Sequence, residues 1–222
     1  RWSLVPERST DSTRRAHALA EQLLERHGIV TRGALAAERV SGGFAGVYPV
    51  LKAMEESGRC RRGYFVDGLG GAQFALAGAV DRMRSLMNDE DETSTLVLAA
   101  TDPANPYGAA LPWPQRAEEG SMKGASRRRG RAGRKAGGVV VLVDGRLALY
   151  VEKGGKTLLS YVEDEGDLRR AVDALVLAAR EGQLGKLAVE KADGEAVLDT
   201  PLAGALVDAG LRLTSRGLRL RA

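Results

Sequence analysis

Cysteine, aromatic residues and long apolar runs are all scarce in this 222-residue chain. The single cysteine, Cys60, cannot close an internal disulfide. With no leader-like segment at the start of the sequence, this sets the expectation of a cytoplasmic protein. No stretch reaches the roughly 18 apolar residues that a membrane span requires, so no membrane partner is expected. Phe, Trp and Tyr together make up 5% of the chain, which leaves Leu, Val and Ala to fill the core. Several chemistry-bearing patterns are missing as well. Gly130-Arg131-Ala132-Gly133-Arg134-Lys135 shares only its composition with a phosphate loop, because no strand leads into it and no helix follows. There is no paired Cys/His metal spacing, and no Ser/His/Asp set points to nucleophilic catalysis. His17 and His27 fall on one expected helix and read as surface or boundary residues. Asp89-Glu90-Asp91-Glu92 reads as a solvated acidic link. No catalytic, metal-binding or cofactor-binding residue is therefore assigned.

Hydrophobic residues make up 44% of the chain and charged residues 28%, a balance that suits a folded core. The net charge of +4 is unevenly placed. Residues 116–138 hold eight basic and two acidic side chains, whereas the rest of the chain holds 25 and 27. The high isoelectric point thus belongs to one Arg/Gly-rich segment, and residues 115–137 are expected to form a disordered linker. Its cations (Arg127, Arg128, Arg129, Arg131, Arg134, Lys135) would either bind polyanions without sequence choice or simply keep the linker soluble. The chain opens at Arg1, and the strand-like Trp2-Ser3-Leu4-Val5 has no partner nearby, so an upstream neighbour is expected.

Before the linker, residues 13–27 show helical spacing of Ala16, Leu19, Ala20, Leu23 and Leu24, with Asp11 or Ser12 as cap and Gly28 as stop. Ile29-Val30 reads as a short extended link. Thr31 can cap a second helix, 32–38. A third helix, 44–56, has Phe44, Val47, Leu51 and Met54 on its apolar face. Pro49 is tolerable only near a first turn, which suggests that this helix starts close to Ala45 or Gly46. Two strand signals follow, 59–66 and 72–76, separated by Asp67-Gly68-Leu69-Gly70-Gly71. A further helix runs from Gly78 to about Met87. Three helices and a hairpin predict a winged helix over residues 1–90.

The second half predicts strands at 95–100, 139–143, 147–152, 157–162 and 186–191, with short ones at 211–214 and 218–221. Helices are predicted at 165–181 and about 201–209, the latter capped by Asp199 or Thr200. The fold class is α+β: an N-terminal winged helix followed by an antiparallel, β-barrel-like sheet module with two helices. That module is expected to be discontinuous, 95–114 plus 138–222, because an isolated strand has no reason to be stable. No internal repeat is legible.

The hairpin carries the best positive signal. Alternation puts Arg59 and Arg61 on one face and Cys60 and Arg62 on the other. Guanidinium groups on a wing can grip phosphates, and an adjacent aromatic, Tyr64, can stack on a base. The third helix adds Ser41, Tyr48 and Lys52. The alternative is that these are ordinary solvated charges, with Tyr48 and Phe65 in the core. Glu55 and Glu56 make the helix itself a poor groove reader, so the wing is favoured.

Three blocks resemble the large helicase-related (Lhr) family. These are Ser41-Gly42-Gly43-Phe44-Ala45-Gly46-Val47-Tyr48-Pro49-Val50-Leu51-Lys52-Ala53-Met54-Glu55, then Arg62-Gly63-Tyr64-Phe65-Val66, then Gly70-Gly71-Ala72-Gln73-Phe74-Ala75. The run Ala100-Thr101-Asp102-Pro103-Ala104-Asn105-Pro106-Tyr107-Gly108 resembles the next block of the same family. The sheet-and-helix half is similar to the C-terminal end of actinobacterial members. The resemblance implies a C-terminal piece of an ATP-dependent helicase that moves 3′ to 5′ on DNA in repair. ATP and Mg would belong to motor domains absent from this chain. The implied partners are single-stranded or duplex DNA, the upstream domains of the same polypeptide and a homo-oligomer. The expected role is a non-catalytic DNA-binding and assembly module. The alternatives are part of a winged-helix glycosylase-like base-excision module, for which Asp67, Asp102 and Asp144 are the available carboxylates, or a structural oligomerisation element.

Overall fold

The computed structural model describes residues 4–5, 7, 9–87, 93–115 and 130–221. The Trp2-Ser3 pair, the acidic run Asp89-Glu90-Asp91-Glu92 and Arg127, Arg128 and Arg129 lie outside the described residues. The chain divides into two units, Arg1–Glu90 with Ala109–Leu111, and Asp91–Gly108 with Pro112–Ala222.

The first unit begins with α1 (Ser12–His27), whose Asp11 carboxylate accepts the free amides of Thr13 and Arg14. Gly28 ends the helix with φ of +67°. Ile29–Val30, read from sequence as a link, is a strand, β1, because it pairs with β3 (Gln73–Ala75). Thr31 caps α2 (Arg32–Ala37) through Oγ1. Next come α3 (Gly43–Glu56), β2 (Arg61–Gly63), β3 and α4 (Ala77–Met87). The sheet order is β1-β3-β2, so the second wing strand is central.

The apolar face of α3 is buried as its spacing requires. Phe44, Val47, Leu51 and Met54 meet Leu23 and Leu24 of α1, Leu35 of α2 and Phe74 of β3. Burying Leu51 completely contributes about 2–3 kcal/mol. Pro49 departs from expectation. The helix starts at Gly43, so the proline lies in its second turn. It is exposed, and so is Ala45, whose carbonyl loses the Pro49 amide and can turn to water instead.

The second unit is built on an open six-stranded sheet of order β10-β9-β7-β6-β5-β4. Its strands are β4 (Thr95–Ala99), β5 (Val139–Val143), β6 (Arg146–Val151), β7 (Thr157–Ser160), β9 (Lys191–Ala192) and β10 (Glu195–Ala196). β4 pairs with β5 over five residues. Asp144 and Gly145, both at positive φ, make the two-residue turn between β5 and β6. α5 (Glu165–Arg180) covers one face with Val172, Leu175 and Val176. Two expectations are corrected. The sheet is not wholly antiparallel: β7 pairs with β9 in parallel, which the α5 crossover permits. It is also open, with β4 and β10 at its edges, and no barrel closes among the described residues.

The expected strand 186–191 splits at Glu190. Ala188–Val189 (β8) leaves the large sheet and joins β11 (Arg212–Thr214) and β12 (Gly217–Arg219) in the order β11-β12-β8. α6 (Leu202–Asp208) lies between, with no side-chain cap, since Thr200 Oγ1 donates to the Val197 carbonyl. The expected linker is also corrected at its end. Residues 130–137 pack onto this unit: Ala132 is buried, and Arg134 donates to the carbonyls of Thr101, Asp102, Asn105 and Tyr107. The block Asp102–Tyr107 that carried the resemblance is thereby a structural knot. Its centre is the fully buried Asn105, which donates to the Ala100 carbonyl.

The three small strands of this second unit repeat the arrangement of the first. In the first, Phe74 of the central strand pairs with Val30 on one side and Arg62 on the other. In the second, Leu218 pairs with Val189 and Leu213. A helix precedes the first strand in both, and another precedes the hairpin. The C-terminal segment thus has the strand order of a winged helix, without detectable repetition in sequence.

Candidate nucleic-acid interface

The wing is held from inside by a residue that the sequence reading did not single out. Gln73 is buried, and its side-chain amide is fully used. Oε1 accepts the amides of Phe65 and Val66, and Nε2 donates to the carbonyls of Val66 and Gly70. A glutamine between a glycine-rich turn and an apolar strand was the available signal. Phe65 folds back over Gly63, where a Cβ would crowd its ring at 3.1 Å. Tyr64 is 85% exposed, its ring lying over Gly71 of the same loop.

The arginines of the hairpin differ from one another. Arg59 precedes β2 and turns back to α1, where Nη1 lies 3.1 Å from Glu21 Oε1 and 2.8 Å from His17 Nε2. Arg62 crosses α3, with Nε 3.3 Å from Glu55 and Nη1 donating to the Tyr48 hydroxyl at 3.1 Å. Arg61 is exposed and has no hydrogen bond or ion pair among the described residues. Each of the other two arginines already has an internal carboxylate, so part of the wing's formal charge is neutralised within the fold.

The third-helix candidates separate in the same way. Tyr48 is half-buried, with its ring against Phe44 and Phe74 at centroid distances of 5.8 and 5.7 Å. Lys52 is exposed and lies 3.7 Å from Glu56 one turn on. Ser41 is exposed in the turn before α3. Arg32, not considered from sequence, stands over the Phe44 ring at 5.5 Å. Cys60 is buried beneath the wing. Burial, with Glu55 nearby, raises its thiol pKa, which makes it a core residue of low reactivity. The carboxylates weighed for base excision each accept a backbone amide: Asp67 from Gly68, Asp102 from Ala104 and Asp144 from Ser94.

Three helices closed by a β-hairpin, with a cationic and an aromatic side chain projecting from that hairpin, define a winged helix of the nucleic-acid-binding class. Residues 9–95 match the family model described as the large helicase-related protein winged-helix domain. The chain belongs to the large helicase-related (Lhr) family. It is 50% identical over its whole length to the Mycolicibacterium smegmatis protein named "Lhr helicase/ probable uracil glycosylase", of which it covers 15%. It is 38% identical over 98% of its length to the Escherichia coli "Lhr helicase/uracil glycosylase", of which it covers 14%. The chain therefore spans about one seventh of these relatives, consistent with a C-terminal region of such a protein. Among the described residues no helix is long and apolar enough to cross a membrane.

Proposed function

We propose that this chain is a non-catalytic DNA-binding and assembly module of an ATP-dependent 3′–5′ DNA-repair helicase, and that it engages single-stranded or duplex DNA through the β2–β3 wing. The observation that carries this reading is the pairing of Arg61 and Tyr64 on a loop pinned by Gln73. One exposed, unneutralised guanidinium and one exposed aromatic ring stand three positions apart on a preorganised support. Arg61 supplies a phosphate contact and Tyr64 a stacking surface for a base. Arg59 and Arg62 shape the wing more than they bind, because each is committed to a carboxylate of the same unit. ATP and Mg belong to motor domains of the parent polypeptide, whose upstream domains are the module's covalent partners, in a cytoplasmic and homo-oligomeric setting. A gel-shift series at several salt concentrations tests the assignment. Arg61→Ala with Tyr64→Ala is expected to weaken binding, whereas Arg59→Ala is expected to leave it nearly unchanged.

A second reading is favoured by the names of both relatives, each of which includes a uracil glycosylase. Base excision by this chain would leave abasic sites in uracil-containing DNA, revealed as strand breaks after alkali. Breaks that disappear on changing Asp67, Asp102 or Asp144 to Asn would replace the non-catalytic reading. Intact strands would support it.

A further inference from the structure

We propose that the β11–β12 hairpin is a second phosphate-binding wing, which grips the DNA backbone through Arg212, Arg216 and Arg219. The topology places it where the β2–β3 hairpin stands in the first unit. Leu218 occupies the register of Phe74, and Arg212 that of Arg61. Its charge is the more exposed of the two. Residues 212–221 hold four arginines and no acidic residue. All four are exposed, and none of their side chains has an ion pair or hydrogen bond among the described residues. The first wing, by contrast, spends Arg59 and Arg62 on internal carboxylates. Glu190, which lines the cleft beside the hairpin with Thr214 and Arg216, is taken by Lys156 at 3.0 Å.

The arrangement also disfavours itself in the absence of an anion. Arg212 and Arg219 are direct cross-strand partners, and like charges facing each other on a ladder destabilise it. A phosphate between them removes that repulsion. The support is stiff. Gly217 has a φ of +143°, and a Cβ there would collide with the Val189 carbonyl. Thr214 Oγ1 donates to the Gly217 carbonyl at 3.0 Å and accepts the Arg216 amide, so the turn that carries Arg216 is closed on itself. Outside residues 116–138 the chain holds 25 basic and 27 acidic side chains with these arginines included, so the local concentration is invisible to a bulk count.

The test is fluorescence anisotropy of the 222-residue chain on a labelled single-stranded oligonucleotide and its duplex, from 50 to 300 mM salt. The triple variant Arg212→Gln, Arg216→Gln, Arg219→Gln is expected to bind at least about tenfold more weakly at 0.1 M salt. The slope of log affinity against log salt should fall by about 2 to 3. The matching Lys triple should keep most of the slope, which separates loss of charge from loss of fold. An unchanged slope in the Gln triple, or equal losses in the Gln and Lys triples, would overturn the proposal. Arg61→Ala with Tyr64→Ala, measured alongside, keeps the two sites distinguishable. A loss confined to that pair leaves the first wing standing and sinks the second, and a loss confined to the hairpin triple does the reverse.

Discussion

Gln73 and Val66 are joined by two hydrogen bonds of opposite sense: the Gln73 carboxamide accepts the Val66 amide at 2.9 Å and donates to the Val66 carbonyl at 2.8 Å. A side chain thus does for the wing what a neighbouring strand would do, and the loop that carries Tyr64 and Asp67 needs no longer β-ladder than three residues. Gln73→Leu keeps the volume but strands these groups. It should cost about 2–4 kcal/mol in urea unfolding. Gln73→Glu should cost at least as much at neutral pH, because a carboxylate cannot donate to Val66 and Gly70. A cost below 1 kcal/mol for both variants would mean that the wing is not held this way.

Arg134 collects four backbone carbonyls in the second unit at 2.7 to 3.4 Å. Arg134→Ala is expected to lower stability by about 2–4 kcal/mol, and Arg134→Lys to recover only part of the loss, since one ammonium cannot span the same fork. Equilibrium unfolding followed by Trp113 fluorescence reads this directly. That ring stacks on Tyr107 and meets Tyr150 edge-on, so it reports on the knot.

Arg59 lies on a solvent-exposed pair with Glu21. Arg59→Ala should therefore cost about 0–1 kcal/mol of stability and leave DNA affinity within about twofold. A large loss of affinity with unchanged stability would return Arg59 to the interface.

Tyr150 and Cys60 both have raised pKa values, chiefly through burial, with Glu152 and Glu55 respectively adding to the effect. Both groups are neutral in the folded state and ionise first in the unfolded chain. Their stabilising contribution is complete below their ordinary values, 10.0 for Tyr150 and 9.0 for Cys60, and is lost as pH rises through the folded values. Stability should be insensitive to these groups near neutrality and should decline above about pH 9. Tyr150→Phe should flatten the upper part of that decline, at the cost of the hydrogen bond to the Gly133 carbonyl. A decline of the same slope in Tyr150→Phe would assign it to other groups.

Much of the first unit was legible because single helices declare themselves locally. The buried face of α3 is the set spaced at helical intervals, and Asp11 and Thr31 cap where their position before an amphipathic run places them. What escaped depends on long-range pairing. Two residues such as Ile29-Val30 carry no strand signal until β3 lies beside them, and nothing local tells Val189 and Lys191 that they belong to different sheets. The interface was half legible for the same reason. Spacing put three arginines on the hairpin, but which of them remain available is decided by Glu21 and Glu55 on helices elsewhere in the sequence. The arginines of the C-terminal hairpin were hidden by averaging, and they acquire a meaning only from the register of Leu218.

The most direct test of the central claim, that the β2–β3 wing touches DNA, is ultraviolet crosslinking of the chain to a bromodeoxyuridine-substituted oligonucleotide, followed by tryptic digestion and mass spectrometry. Cleavage after Arg62 and Arg82 isolates Tyr64 on a single peptide, residues 63–82. The expected result is a nucleotide adduct on that peptide at Tyr64, which is lost in Tyr64→Ala and reduced in Arg61→Ala. Efficient crosslinking with no adduct on residues 63–82 would contradict it.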